Sequence, residues 1–88
     1  MKNVDSDRIK DEVTAIFSRE LGIKPTQITL KTGYQSEPAW DSLRHLEIIG
    51  ALEEEFKISI SMDDVFRIKT FEDALETVKR YSAKKDIA

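Results

Sequence analysis

Leu43-Arg44-His45-Leu46-Glu47-Ile48-Ile49-Gly50-Ala51-Leu52-Glu53-Glu54-Glu55-Phe56 is the stretch that decides the fold. Successive helical residues turn by about 100°. With Leu43 at zero, Ile48, Leu52 and Phe56 fall near roughly 140–220°, with His45 and Ile49 beside them. That is the stripe of a helix facing a core. Leu46, Glu47, Gly50, Glu53 and Glu54 fall on the side of Leu43, so the outward face carries two leucines, a glycine and three carboxylates. Apolar residues set in an acidic rim have the make-up of a partner-docking surface. Trp40-Asp41-Ser42 precedes the run and offers Asp41 or Ser42 as its N-cap, leaving a serine hydroxyl at the start of the helix.

The same period recurs on either side. Ile9, Val13, Ile16, Phe17 and Leu21 form one stripe, with Ser6 or Asp5 as cap and Gly22 placed for a left-handed stop. A short third helix is expected after Ser61, carrying Met62, Val65 and Phe66. A fourth starts at Thr70, with Asp73 three residues on in a capping-box spacing, and its stripe is Phe71, Ala74, Leu75 and Val78 with Tyr81 at the edge. The alternation in Lys57-Ile58-Ser59-Ile60-Ser61-Met62 resembles a strand. No second alternating run exists to pair with it, so it reads as a connector that tucks Ile58 and Ile60 inward. Residues 23–41 exceed an ordinary connection of about 4–6 residues. Ile28, Leu30 and Tyr34 within them suggest a loop packed down on the helices. The expectation is an all-α, small four-helix bundle spanning residues 1–88 as one domain, with its core at about 5–82 and a frayed tail at 83–88.

Composition narrows the function classes. The 88 residues leave little room for both a core and a deep cleft. Seventeen acidic against fourteen basic residues give a net charge of −3, which argues against nucleic acid and suits a basic protein partner. With no cysteine there is no disulfide, thiolate zinc site or thiol nucleophile. No apolar stretch approaches the roughly 20 residues of a membrane span. The start lacks the apolar core of a secretory signal, so a cytoplasmic setting is expected. Asp41, Ser42 and His45 are the residue types of a hydrolytic triad. His45 falls toward the core face, however, and no Gly-x-Ser-x-Gly elbow is present. Glu53–Glu55 and Asp63-Asp64 lack a calcium-loop spacing. The chain has no catalytic or metal constellation, which makes Ser42 the residue to explain.

Asp41-Ser42-Leu43, the helix ending Ala51-Leu52-Glu53-Glu54-Glu55-Phe56, and the Thr70-Phe71-Glu72-Asp73 start together resemble the acyl carrier protein family, from the first helix to about Tyr81. The resemblance implies that Ser42 receives 4′-phosphopantetheine from coenzyme A through a phosphopantetheinyl transferase. The arm's thiol would then shuttle acyl groups as thioesters between loading and processing enzymes, the protein itself being a monomer and no enzyme. Asp41 and Leu43 match the flanks of the family's modification motif. Leu46, Glu47, Gly50, Glu53 and Glu54 match its partner-facing positions. Three positions depart from the commoner pattern: Trp40 before the motif, Arg44 directly after it, and Gly50 in place of a bulky apolar residue. Arg44 could select partners by repelling basic surfaces. Trp-Asp-Ser-Leu-x-His-Leu looks more like stand-alone carriers of polyketide, specialised lipid, unusual-sugar or aminoacyl-transfer pathways than like general fatty-acid carriers. The rival expectation is a helical adaptor that binds one protein through the same acidic face and needs no cofactor.

Overall fold

The computed structural model describes the backbone of residues 2–87 and the side chains of residues 7–83. Four α-helices follow in order: α1 (Lys2–Leu21), α2 (Ser42–Phe56), α3 (Met62–Arg67) and α4 (Phe71–Ile87), with one 3₁₀ turn at Pro25–Gln27. There are no strands among the described residues. One isolated bridge joins Gly33 and Thr70. The bundle architecture expected from the periodicity is the one observed.

The stripes meet as the helix wheel predicts. Val13, Ile16, Phe17 and Leu21 of α1, Ile48, Ile49 and Leu52 of α2, and Phe71, Ala74, Leu75 and Val78 of α4 close one core. Phe17 sits at its centre, with Trp40 and Phe71 each at 5.1 Å and 87°, edge-on to its ring. Such edge-to-face pairs add to the free energy of burial alone. Trp40, from the end of the long loop, is buried in the core itself.

The helix ends follow local chemistry, with one shift. The backbone of α1 is already helical at Lys2, so Asp5 and Ser6 lie within the helix rather than at its cap. Their side chains lie outside the described residues. Gly22 takes φ +69° and ends the helix, its N–H donating to Ser18 O at 2.9 Å. At α4 the capping box forms with aspartate: Asp73 N–H donates to Thr70 Oγ1 (3.1 Å), and Thr70 N–H to Asp73 Oδ2 (3.2 Å). The backbone of α4 continues to Ile87; the side chains of 84–88, where a frayed tail is expected, lie outside the described residues.

The long 23–41 connection does pack down, through Trp40 in the core, Ile23 and Ala39 against it, and a set of backbone bonds. Leu30 and Tyr34 stay about half exposed, while Ile28 touches the core. Phe71 N–H donates to Thr32 O (2.7 Å), Glu72 N–H to Leu30 O (3.2 Å) and Tyr34 N–H to Lys69 O (3.3 Å). Loop carbonyls thereby satisfy the first free donors of α4, which every helix start must place somewhere. Gly33 permits the approach, since a Cβ there would lie 2.7 Å from Lys69 O. The 57–61 connector behaves as expected, with Ile60 buried and Ile58 partly so.

Candidate functional site

Asp41, not Ser42, caps α2. Its backbone is extended (φ −100°, ψ −172°), and its Oδ1 accepts from Arg44 N–H at 2.8 Å while its carbonyl accepts from His45 N–H at 2.8 Å. Ser42 is consequently the first helical residue, exposed, and no hydrogen bond engages its hydroxyl among the described residues. The N–H groups of Ser42 and Leu43 belong to the unpaired first turn, where backbone donors and the helix dipole favour an anion.

Ser42 opens onto a groove of about 520 Å³. Asp41, His45 and Leu46 line it from α2, Met62, Val65 and Phe66 from α3, Ile68 and Lys69 from the α3–α4 link, and Tyr34 and Trp40 from the long loop. The sequence pattern groups Met62, Val65 and Phe66 on one stripe. Only Val65 is buried; Met62 and Phe66 are 66% and 69% exposed. A helix of six residues cannot bury both sides, and the apolar character shared by all three gave no signal of which would face outward. Tyr34 and Lys69 had no signal either, because the loop's backbone bonds place them.

His45 is half-buried and fully occupied. Trp40 Nε1–H donates to its Nδ1 at 3.0 Å, and its Nε2 lies 2.8 Å from Val65 O, which calls for a proton on Nε2. The ring also stacks on Trp40 (5.8 Å, 22°). The histidine therefore ties the residue two before Ser42 to α3, and neither nitrogen is left to take a proton from Ser42. The Asp41-Ser42-His45 triad geometry is absent.

On the outward face, Leu43 and Leu46 are 65% and 61% exposed, and Glu47, Gly50 and Glu54 are exposed with them. Arg44 lies against Glu47, Nη1 to Oε1 2.8 Å, so the basic departure locally neutralises one carboxylate. Glu53 differs from the wheel: it is half-buried, and its Oε2 accepts from Ile60 N–H at 2.9 Å. That bond explains a carboxylate at the dipole's unfavourable end, since the side chain pins the connector to α2. Glu55 lies against Glu12 of α1; burial first, then this neighbour, raises the Glu12 carboxyl above its ordinary range, with Arg8 opposing. At the far side of α3, Asp64 accepts from Tyr81 Oη (2.5 Å) and Ser61 Oγ (3.1 Å) and pairs with Arg80 (2.9 Å). The Tyr81 hydrogen bond first, then Ser61 and Arg80, lowers its carboxyl against the opposing effect of desolvation.

Three comparisons bear on this site. The family model described as "Phosphopantetheine attachment site" matches residues 11–78. An acyl carrier protein of Trieres chinensis is 37% identical over 79 residues, covering 90% of this chain and 99% of that protein. The solution structure of holo acyl carrier protein from Geobacter metallireducens superposes with a TM-score of 0.77 at 29% identity, covering 86% of this chain and 87% of that one. No helix among the described residues is long and apolar enough to cross a membrane.

Proposed function

Because the chain belongs to the acyl carrier protein family, we propose that Ser42 is the residue to which its 4′-phosphopantetheine is joined. The protein is a carrier and not a catalyst, and when bound the cofactor supplies the thiol that holds an acyl group as a thioester. The observation that carries the Ser42 assignment is its hydroxyl, exposed and unengaged at the first position of α2 and at the mouth of the groove. The residues present fit the group. The unpaired N–H groups of Ser42 and Leu43 suit a phosphodiester, and Asp41 holds the helix start in shape through Arg44 N–H.

The docking face belongs to the same proposal. Leu46, Glu47, Gly50 and Glu54 stand open along the helix that Ser42 begins, and Arg44 tempers Glu47. Glu53 contributes by holding the connector. The partners are a phosphopantetheinyl transferase and the enzymes that load and process the acyl group, in a cytoplasmic setting. Trp40, Arg44 and Gly50 support a specialised pathway over general fatty-acid synthesis. Trp40 is built into the core under the site, and the Arg44–Glu47 pair leaves the first turns of α2 less acidic than a carboxylate there would.

Intact-mass measurement after incubation with coenzyme A and a broad-specificity phosphopantetheinyl transferase tests the assignment. Wild type should gain one phosphopantetheinyl group and Ser42→Ala none. No gain on wild type, or an undiminished gain on Ser42→Ala, would overturn it.

A further inference from the structure

Most polar groups lining the groove beside Ser42 are already spoken for. Both His45 nitrogens are engaged by Trp40 and Val65, and Asp41 Oδ1 by Arg44 N–H. Ser42 is the tether point on the reading above. What remains is the Tyr34 hydroxyl and the Lys69 ammonium, for which no hydrogen bond or ion pair exists among the described residues. The fold brings the backbones of these two residues together and sets both on the groove's lining. Tyr34 N–H donates to Lys69 O at 3.3 Å, and the close approach depends on Gly33, whose absent Cβ would meet that same oxygen at 2.7 Å. An apolar groove with a few uncommitted polar groups is the usual form of a small-ligand site, and its volume lies in the common range.

We propose that this groove selects an acyl cargo whose far end bears a carboxylate, received by the Lys69 ammonium and the Tyr34 hydroxyl. The inference rests on Ser42 as the tether. Leu46, Met62, Val65 and Phe66 offer the chain's methylenes an apolar path, and the two donors stand on elements other than the one that carries Ser42. Charge sets the direction. Among the described residues the sole carboxylate lining the groove is Asp41, beside Ser42, and the sole ammonium is Lys69; Arg67 next to Lys69 adds positive charge and Asp63 offsets part of it. The arm's own phosphodiester is the weaker occupant for Lys69, because it is bonded to Ser42, where the unpaired N–H groups of α2 already serve an anion. A chain ending in a methyl group gives these donors nothing to bind.

The test loads the thiol of the Ser42-linked arm with a hexanoyl or a hexanedioyl group, the second ending in a carboxylate, confirms loading by mass, and follows thioester cleavage by hydroxylamine. Each rate is divided by that of the matching coenzyme A thioester. The hexanedioyl group should be protected about two- to fivefold more than hexanoyl, the span of an exposed ion pair. Lys69→Ala should erase the difference, Lys69→Arg keep it, and Tyr34→Phe reduce it. Equal protection of the two chains, or a preference that survives Lys69→Ala, overturns the proposal. So does a shift of the phosphodiester ³¹P resonance on Lys69→Ala in protein carrying no acyl group, since Lys69 would then serve the arm. Protein that takes no phosphopantetheine at all sinks the tether, and this proposal with it.

Discussion

His45→Leu removes a group that two distant segments depend on. Trp40 is 3% exposed, so its indole N–H, deprived of His45 Nδ1, has no water to turn to. An orphaned buried donor costs about 1–3 kcal/mol, and the lost bond to Val65 O adds about 0.5–1.5 kcal/mol. The sum, about 1.5–4.5 kcal/mol, is a large share of the roughly 4–13 kcal/mol expected for 88 residues. For a domain of this size it corresponds to a fall in Tm of about 6–36 °C. Urea unfolding followed by circular dichroism gives the free energy, and fluorescence of the single tryptophan reports the site itself. A double-mutant cycle separates the hydrogen bond from simple packing. Trp40→Phe removes the donor, so in the double variant no N–H is orphaned, and its loss should fall short of the two single losses added by about 1 kcal/mol or more. A cost for His45→Leu below about 0.5 kcal/mol, or additivity within about 0.5 kcal/mol, would refute the reasoning.

The two shifted carboxylates should respond to pH in opposite senses. Glu12, raised by burial and by Glu55, favours its protonated form in the folded protein, so it supports stability at low pH and loses that support as pH rises through its folded value. Glu12→Gln should therefore raise Tm at pH 7, with the gain gone below about pH 4. Asp64, lowered by Tyr81, Ser61 and Arg80, supports stability above the ordinary value of about 3.9, and that support is lost as pH falls through its lowered folded value. Asp64→Asn should lower Tm at pH 7 and converge with wild type in acid; a pH-independent difference would remove the ion-pair explanation. Gly50→Ala adds a Cβ that meets nothing within 4 Å, so it should stabilise by about 0.5–1 kcal/mol in urea unfolding.

Periodicity carries a long way in this chain because α1, α2 and α4 each bury one stripe. Ile48, Ile49 and Leu52 lie inside and Leu43 and Leu46 outside, as angular spacing alone requires. The hydroxyl of Ser42 was legible too, since the motif sets it at a helix start. Two kinds of feature were not. Met62 and Phe66 share an apolar character with Val65, yet hydrophobicity does not say which side of a six-residue helix a neighbour covers. The part of the loop around Leu30–Tyr34 is placed by bonds such as Phe71 N–H to Thr32 O, which join backbone groups some forty residues apart and leave no side-chain signature. Glu53 shows the limit from the other side. Its charge reads as surface, and its role comes from the connector's Ile60 N–H, which only the fold brings to it.

These polar ties share a purpose that the apolar core cannot serve. α3 buries Val65, and the link after it buries Ile68, so little apolar contact holds this helix against the rest. It is fixed instead by His45 to Val65 O, by Glu53 to the connector before it, and by Asp64 to Tyr81 and Arg80. Packing α3 by its apolar side chains would have turned Met62 and Phe66 inward and closed the groove next to Ser42. Directional bonds to backbone and carboxylate groups position the helix while leaving those side chains free. The one neutral tie, His45 to Val65 O, contributes only about 0.5–1.5 kcal/mol net. α3 can therefore yield to a ligand in the groove before the α1–α2–α4 core opens, because local opening costs least where few buried contacts resist it.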